Sequence, residues 1–107
     1  MNNIVVTTTF ESRNEAKMVA KTLLDERLIG CAQITELESL YNWENEFNDN
    51  MEFLLSVKTK KELFDKVATR IRELHSYDLP EIAYFEFDGT KEYIDWVDSG
   101  CSKETLV

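Results

Sequence analysis

The spacing of apolar residues along the chain changes several times, and each change marks an element. "NIVVTTTF", residues 3–10, is a short run rich in β-branched residues, which predicts a mostly buried strand. After it, Ala16, Val19, Ala20, Leu23, Leu24 and Leu28 recur every three or four residues and predict a helix with one apolar face. Ser12 and Glu15 stand at its start in the spacing of a capping box, with the Ser12 side chain on a backbone amide and Glu15 reaching back to the Ser12 amide. Gly30 is placed to close the helix as a left-handed cap.

From Cys31 to Trp43 no proline or glycine interrupts the chain, so one long strand is expected, with room for a bulge. A second strand follows in which Phe47, Met51, Phe53, Leu55 and Val57 share odd parity while polar residues alternate with them. The turn belongs at Asn45 or near Asp49, and parity favours Asn45 because Phe47 then stays in phase. "ELFDKVATRIREL" puts Phe64, Val67, Ala68, Ile71 and Leu74 on one helical stripe. "EIAYFEF" reads as a strand, and a short helix with Tyr93, Ile94, Trp96 and Val97 starts near Thr90 and stops about Gly100.

The order strand, helix, strand, strand, helix, strand is that of an α+β, ferredoxin-like split βαβ domain, an antiparallel sheet with helices on one face. A single domain over residues 1–107 is expected, since no linker or repeat divides the chain. The central hairpin carries Tyr41, Trp43, Phe47 and Met51, more apolar area than one small subunit hides. Copies of the chain associating through these residues would bury it.

Charge and cysteine usage narrow the function classes. Twelve basic against 21 acidic residues give a formal charge of -9, which repels phosphate backbones and anionic lipid, so neither nucleic acid nor membrane is an expected partner. The start "MNNIVVTTTF" has no signal-peptide pattern, and no segment approaches the length of a bilayer span, so a cytoplasmic protein is expected. Cys31 and Cys101 are far apart without a CxxC pair, which points to reduced thiols; Cys101, in the tail "GCSKETLV", is expected to be exposed. Three glycines leave little room for a phosphate-binding loop, and no nucleophile is placed beside His75, so an enzyme is not expected.

"CAQI", "SLYNWENE", "EFLLSVKT", "HSYDLPEI" and "YIDW" occur in an order and with gaps that resemble the CutA divalent-cation-tolerance family, from Val5 to about Trp96. The resemblance implies a ferredoxin-like subunit in a PII-like homotrimer with a part in tolerance of copper or other divalent cations. It also implies a PII-like signalling or small-ligand sensing role. Two departures stand out. Asn45 and Glu46 replace the family's usual glycine and lysine, reversing the charge at the second position, and Ser76 replaces the proline that usually follows the histidine.

The only histidine and the only proline of the chain, His75 and Pro80, lie in one short stretch. Pro80 fixes its own φ and biases Leu79 toward extended geometry, feeding the last strand. His75, at a helix C-terminus, has two readings: a cap that donates to free carbonyls and is favoured as a cation by the helix dipole, or a ligand for Cu(II) or Zn(II) completed by Asp78, Glu81 or a neighbouring subunit. Cys31 is either a small buried hydrophobe or, by its match to the family cysteine, a soft ligand for Cu(I). The candidate metal residues are thus His75, Cys31 and Glu81. Lys58, Tyr77 and Trp43 are candidates for a cleft holding a small anionic ligand; in the alternative, Lys58 and Glu81 form an ion pair and the aromatics are interface packing. The competing function is a trimeric interaction protein with no metal role.

Overall fold

A computed structural model of the chain describes residues 2–101. Its elements are β1 (Asn3–Phe10), α1 (Arg13–Asp25), β2 (Cys31–Trp43), β3 (Glu46–Lys60), a 3-10 turn (Lys61–Leu63), α2 (Phe64–Leu74), β4 (Ala83–Phe87) and α3 (Lys91–Ser99). The strands form one antiparallel sheet in the order β2-β3-β1-β4, the ferredoxin-like arrangement.

Cross-strand partners share a face, so the register sorts the sheet into two surfaces. Ile4, Val6 and Phe10 of β1 lie beside Phe53, Leu55 and Val57 of β3, and Ala32 and Ile34 of β2 continue the same face. Against it pack Ala16, Val19, Ala20 and Leu23 of α1 and Val67 and Ile71 of α2, in one buried cluster. The other face carries Lys58, and there Tyr93 and Phe87 meet its ammonium group. The third helix lies across one end of the sheet: its Tyr93 meets Lys58, while Cys101 just beyond it joins the buried cluster.

The β2–β3 hairpin is unbroken. Its pairs run from Cys31↔Lys58 to Trp43↔Glu46 without a bulge, so the extra residue that the long strand allowed is absent. The turn is at Glu44 and Asn45, with φ 52° and 67°, the two positive φ angles that a two-residue I′ turn requires. Asn45 thus fills the turn position expected for it.

The end of α1 differs from the glycine cap expected at Gly30. The helix finishes at Asp25, and the Leu28 amide donates to the Leu23 carbonyl while the Arg27 amide donates to that of Leu24. These are the two bonds of a Schellman cap, and its left-handed residue is Arg27, at φ 57°. Gly30 has an ordinary φ and is needed for another reason: a Cβ there would overlap the Val97 backbone carbonyl of α3. At the start of the helix Ser12 accepts from the Glu15 amide as expected, but the Glu15 side chain leaves the cap and reaches the loop after α2. Cys101 also departs from expectation. It is fully buried, its Sγ 3.5 Å from Thr59 Oγ1.

Gly30→Ala is expected to force α3 off the sheet and to destabilise the fold by about 2 kcal/mol, the usual scale of an overpacking clash. Urea unfolding at fixed protein concentration checks it; an unchanged midpoint would mean that α3 yields without cost.

Candidate functional site

The last turns of α2 deliver the chain to a loop, residues 75–82, that crosses the end of β1. His75 is the pivot. Its ring stacks on Phe10, with centroids 4.2 Å apart and planes 12° from parallel, and Nε2 lies 2.8 Å from the Thr9 carbonyl. Nδ1 accepts the Tyr77 backbone N–H at 3.1 Å. A nitrogen that accepts an N–H carries no proton, so the ring is the neutral Nε2–H tautomer donating to Thr9.

This geometry corrects the cap reading. His75 bonds a strand carbonyl and not the free carbonyls of its own helix. Burial pushes its pKa down, and the Thr9 carbonyl and the charges of Glu15 and Glu52 only partly oppose that. Both ring nitrogens are engaged, so the metal-ligand reading of His75 would require these bonds to break. Ser76 adds a second anchor: its amide and hydroxyl both donate to the Glu15 carboxylate, each at 3.0 Å. A proline at this position has no N–H to give, so the departure from the family pattern exchanges a rigid ring for a tether to α1.

So anchored, the loop faces the hairpin across a cleft of about 500 Å³. Tyr41, Trp43 and Glu52 form the hairpin wall, Tyr77, Asp78 and Glu81 the loop wall, and Thr9 also lines it. The Tyr77 hydroxyl donates to Glu52 Oε2 at 2.7 Å, bridging the walls. Its pKa is pushed far up, first by burial and then by that hydrogen bond and the Glu52 charge, so the phenol remains a donor. Glu52 is only 8% exposed, an unusual burial for a carboxylate, and Glu81 accepts from Thr7 Oγ1 at 2.8 Å.

Of the residues singled out from the sequence, Tyr77, Trp43 and Glu81 meet in this cleft. Lys58 does not. It lies toward the other end of the sheet, donating to the Tyr93 hydroxyl at 2.9 Å, so no cation stands in the cleft wall to hold an anion, and Lys58 and Glu81 have separate partners. Cys31, half-buried, is paired with Lys58 at the start of β2, away from His75. Among the described residues no three His, Cys, Asp or Glu side chains are grouped to hold a metal ion, so His75, Cys31 and Glu81 do not form one site within this chain. The proposed interface set divides as well. Tyr41 and Trp43 pair with Asn48 and Glu46 on one face of the hairpin, while Phe47, paired with Asn42, and Met51, paired with Glu38, lie on the other.

Sequence reasoning passed over Glu15 as a loop anchor and Glu52 as the buried carboxylate. Glu52 falls on the polar parity of its strand, and only the register, which brings it alongside the loop, distinguishes it from a solvated residue.

A family model described as CutA1 divalent ion tolerance protein matches residues 4–100. The divalent-cation tolerance protein CutA of Pyrococcus horikoshii is 40% identical over 95 residues, 88% of this chain and 93% of that one. The crystal structure of CutA1 from Pyrococcus horikoshii superposes with a TM-score of 0.90 at 37% identity, covering 94% of this chain and 99% of that one. The divalent cation tolerance protein of Thermus thermophilus superposes at 0.88, again with 37% identity and with coverage of 94% and 99%.

The sign of the His75 effect is set by its neutral state. A histidine whose pKa is lowered on folding stabilises the fold fully above its unfolded value of 6.5, and this contribution is lost as pH falls below that value, where the unfolded chain takes up the proton first. Melting temperature is therefore expected to fall from about pH 6.5 downward. His75→Asn, which keeps an acceptor near the Tyr77 amide, should flatten the first part of that decline. Identical profiles for the two proteins would show that the imidazole does not titrate with unfolding.

Proposed function

We propose that this chain, which belongs to the CutA1 divalent ion tolerance family, is a non-enzymatic, PII-like homotrimer of the cytoplasm that takes up copper or another divalent cation at its acidic cleft. The observation that carries the reading is the composition of that cleft. Glu52, Asp78 and Glu81 line it, and no lysine, arginine or histidine is among its lining residues. Such a wall favours cations and disfavours an anionic ligand. Oxygen donors of this kind suit a hydrated divalent ion; the three carboxylates of one chain do not close a coordination set among the described residues, so a neighbouring subunit would supply the remaining donors. In this reading His75 acts as a positioning residue that sets the loop, and Cys31 stands apart from the ion.

The hairpin supports assembly. Trp43 is 52% exposed and Phe47 67% exposed in the single chain, and they belong to opposite faces. A two-fold contact through one face would leave the other bare. A head-to-tail ring uses both, because each hairpin meets one neighbour with one face and the next neighbour with the other. Both cysteines are free thiols, in keeping with a reducing compartment.

Light scattering at micromolar concentration is expected to give three times the chain mass, and a monomer there would end the trimer reading. Trp43→Ala should weaken association by about 2 kcal/mol or more while leaving the secondary structure of the subunit intact, as truncation of an interface aromatic does. Unchanged dissociation on dilution would place Trp43 outside the contact.

Titration with Cu(II) and Zn(II) at about 0.15 M salt, where diffuse attraction to the net charge is screened, tests the cleft. The double variant Glu52→Gln/Glu81→Gln is expected to lose about tenfold or more in affinity. Binding equal to the parent's would move the ion away from these carboxylates.

A further inference from the structure

We propose that Glu15 is a positioning residue of the cleft, which leaves the cap of its own helix to hold the loop that brings Tyr77 and Asp78 to the cleft wall. The inference rests on the reading of the cleft as a cation site and deepens it by assigning what fixes the loop. Local sequence favours a different place for this side chain. Ser12 and Glu15 have the spacing of a capping box, and half of that box is present: Ser12 Oγ accepts the Glu15 amide at 3.2 Å. The reciprocal half, Glu15 to the Ser12 amide, is given up. Both carboxylate oxygens turn across the fold instead, Oε2 to the Ser76 amide and Oε1 to the Ser76 hydroxyl, each at 3.0 Å and 61 residues along the chain. A side chain that breaks a strong local pattern for a distant contact marks a place where the fold serves something besides its helix.

Two consecutive amides after α2 show what is served. The Ser76 N–H goes to Glu15 on α1, and the Tyr77 N–H goes to His75 Nδ1, whose ring is fixed on Phe10 and Thr9 of β1. Tyr77 then orients the buried Glu52 carboxylate, and Asp78, the next residue, enters the cleft wall directly from these two fixed points. Groups held in place beforehand spare an arriving ion the cost of ordering the loop. Glu15 is not among the cleft-lining residues, and its oxygens already accept two hydrogen bonds, so it acts through the loop and not on the ion. The backbone shows what kind of support it supplies. His75 sits at φ -80° and ψ 142°, the extended geometry to which a residue before proline is held. The corner is shaped for a proline next, and the Glu15 tether stands in for the ring, restraining Ser76 by hydrogen bonds where a pyrrolidine would restrain it covalently.

A double-mutant cycle tests this, read by calorimetric titration of Zn(II) into the assembled protein at about 0.15 M salt. Glu15→Ala is expected to lose about tenfold in Zn(II) affinity, the lower end of what removing a supporting partner around a metal site costs. Ser76→Pro, which has no N–H or hydroxyl to tether and supplies the ring instead, should stay within about twofold of the parent, and Glu15→Ala added to it should cost less than about twofold more. Positioning is thereby separated from charge, because loss of a nearby negative charge, or of helix stability, would lower affinity equally in both backgrounds. Exchange of the Tyr77 amide hydrogen is the second readout, expected to quicken about tenfold in Glu15→Ala and to return to the parent's rate in the double variant. Should Glu15→Ala fail to assemble by light scattering, Glu15→Gln, which keeps one acceptor oxygen of the two, takes its place in the same cycle with a smaller loss. Parent affinity in the Glu15 variant, or an equal loss with and without Ser76→Pro, overturns the inference and leaves the cation reading standing. A parent that binds no Zn(II) removes both.

Discussion

The bridge made by His75 holds the site together. One ring nitrogen donates to the Thr9 carbonyl and the other accepts the Tyr77 amide, so a single neutral imidazole joins the end of β1 to the loop that follows α2. A charged ring could donate twice but could not accept, and the loop would lose the bond that turns Tyr77 toward Glu52. The cost of burying the imidazole is met by its stacking on Phe10 and by partners for both nitrogens. Without that bridge the loop wall and the hairpin wall would be two separate surfaces.

The hairpin contributes the other wall, and its dependence on register is strict. Glu44 and Asn45 hold the turn at positive φ, which keeps Tyr41 and Trp43 on the face that carries Glu52. A slip of one residue would send Glu52 to the opposite side of the sheet and dismantle the cleft. The hairpin wall of the cleft and the apolar flanks of the hairpin therefore rest on the same two turn residues.

Much of this was legible in the sequence. Two-residue alternation from Phe47 to Val57, the three-and-four spacing of Ala16 to Leu23 and the turn at Asn45 gave the strand and helix order, because local periodicity reports which face of an element is buried. The resemblance to the divalent-cation tolerance proteins, carried by "SLYNWENE" and "HSYDLPEI", agrees with the family and fold found by comparison. What sequence could not supply was the choice of partner across the fold. Gly30 has the composition of a helix cap but is small because α3 passes over it, and Arg27 takes the left-handed position instead. His75 has the position of a helix cap and the chemistry of a metal ligand, yet its two bonds go to residues 9 and 77. Lys58 and Tyr77 are both compatible with a cleft, and only the register puts them at different ends of the sheet.

The uneven length of the strands has a consequence for the order of folding. β2 and β3 are joined by a two-residue turn, whereas β1, at the centre of the sheet, must find β3 and β4 across long stretches of chain. Loop closure costs least at the hairpin, which favours its formation ahead of the docking of β1. At that stage Leu40, Trp43 and Phe47 are bare, on a ribbon with an open edge that could recruit the wrong neighbour. Glu36, Glu38, Glu46, Asp49 and Glu52 are strung along the same ribbon. Like charges on two such hairpins repel, which disfavours edge-to-edge pairing of this ribbon with a second copy.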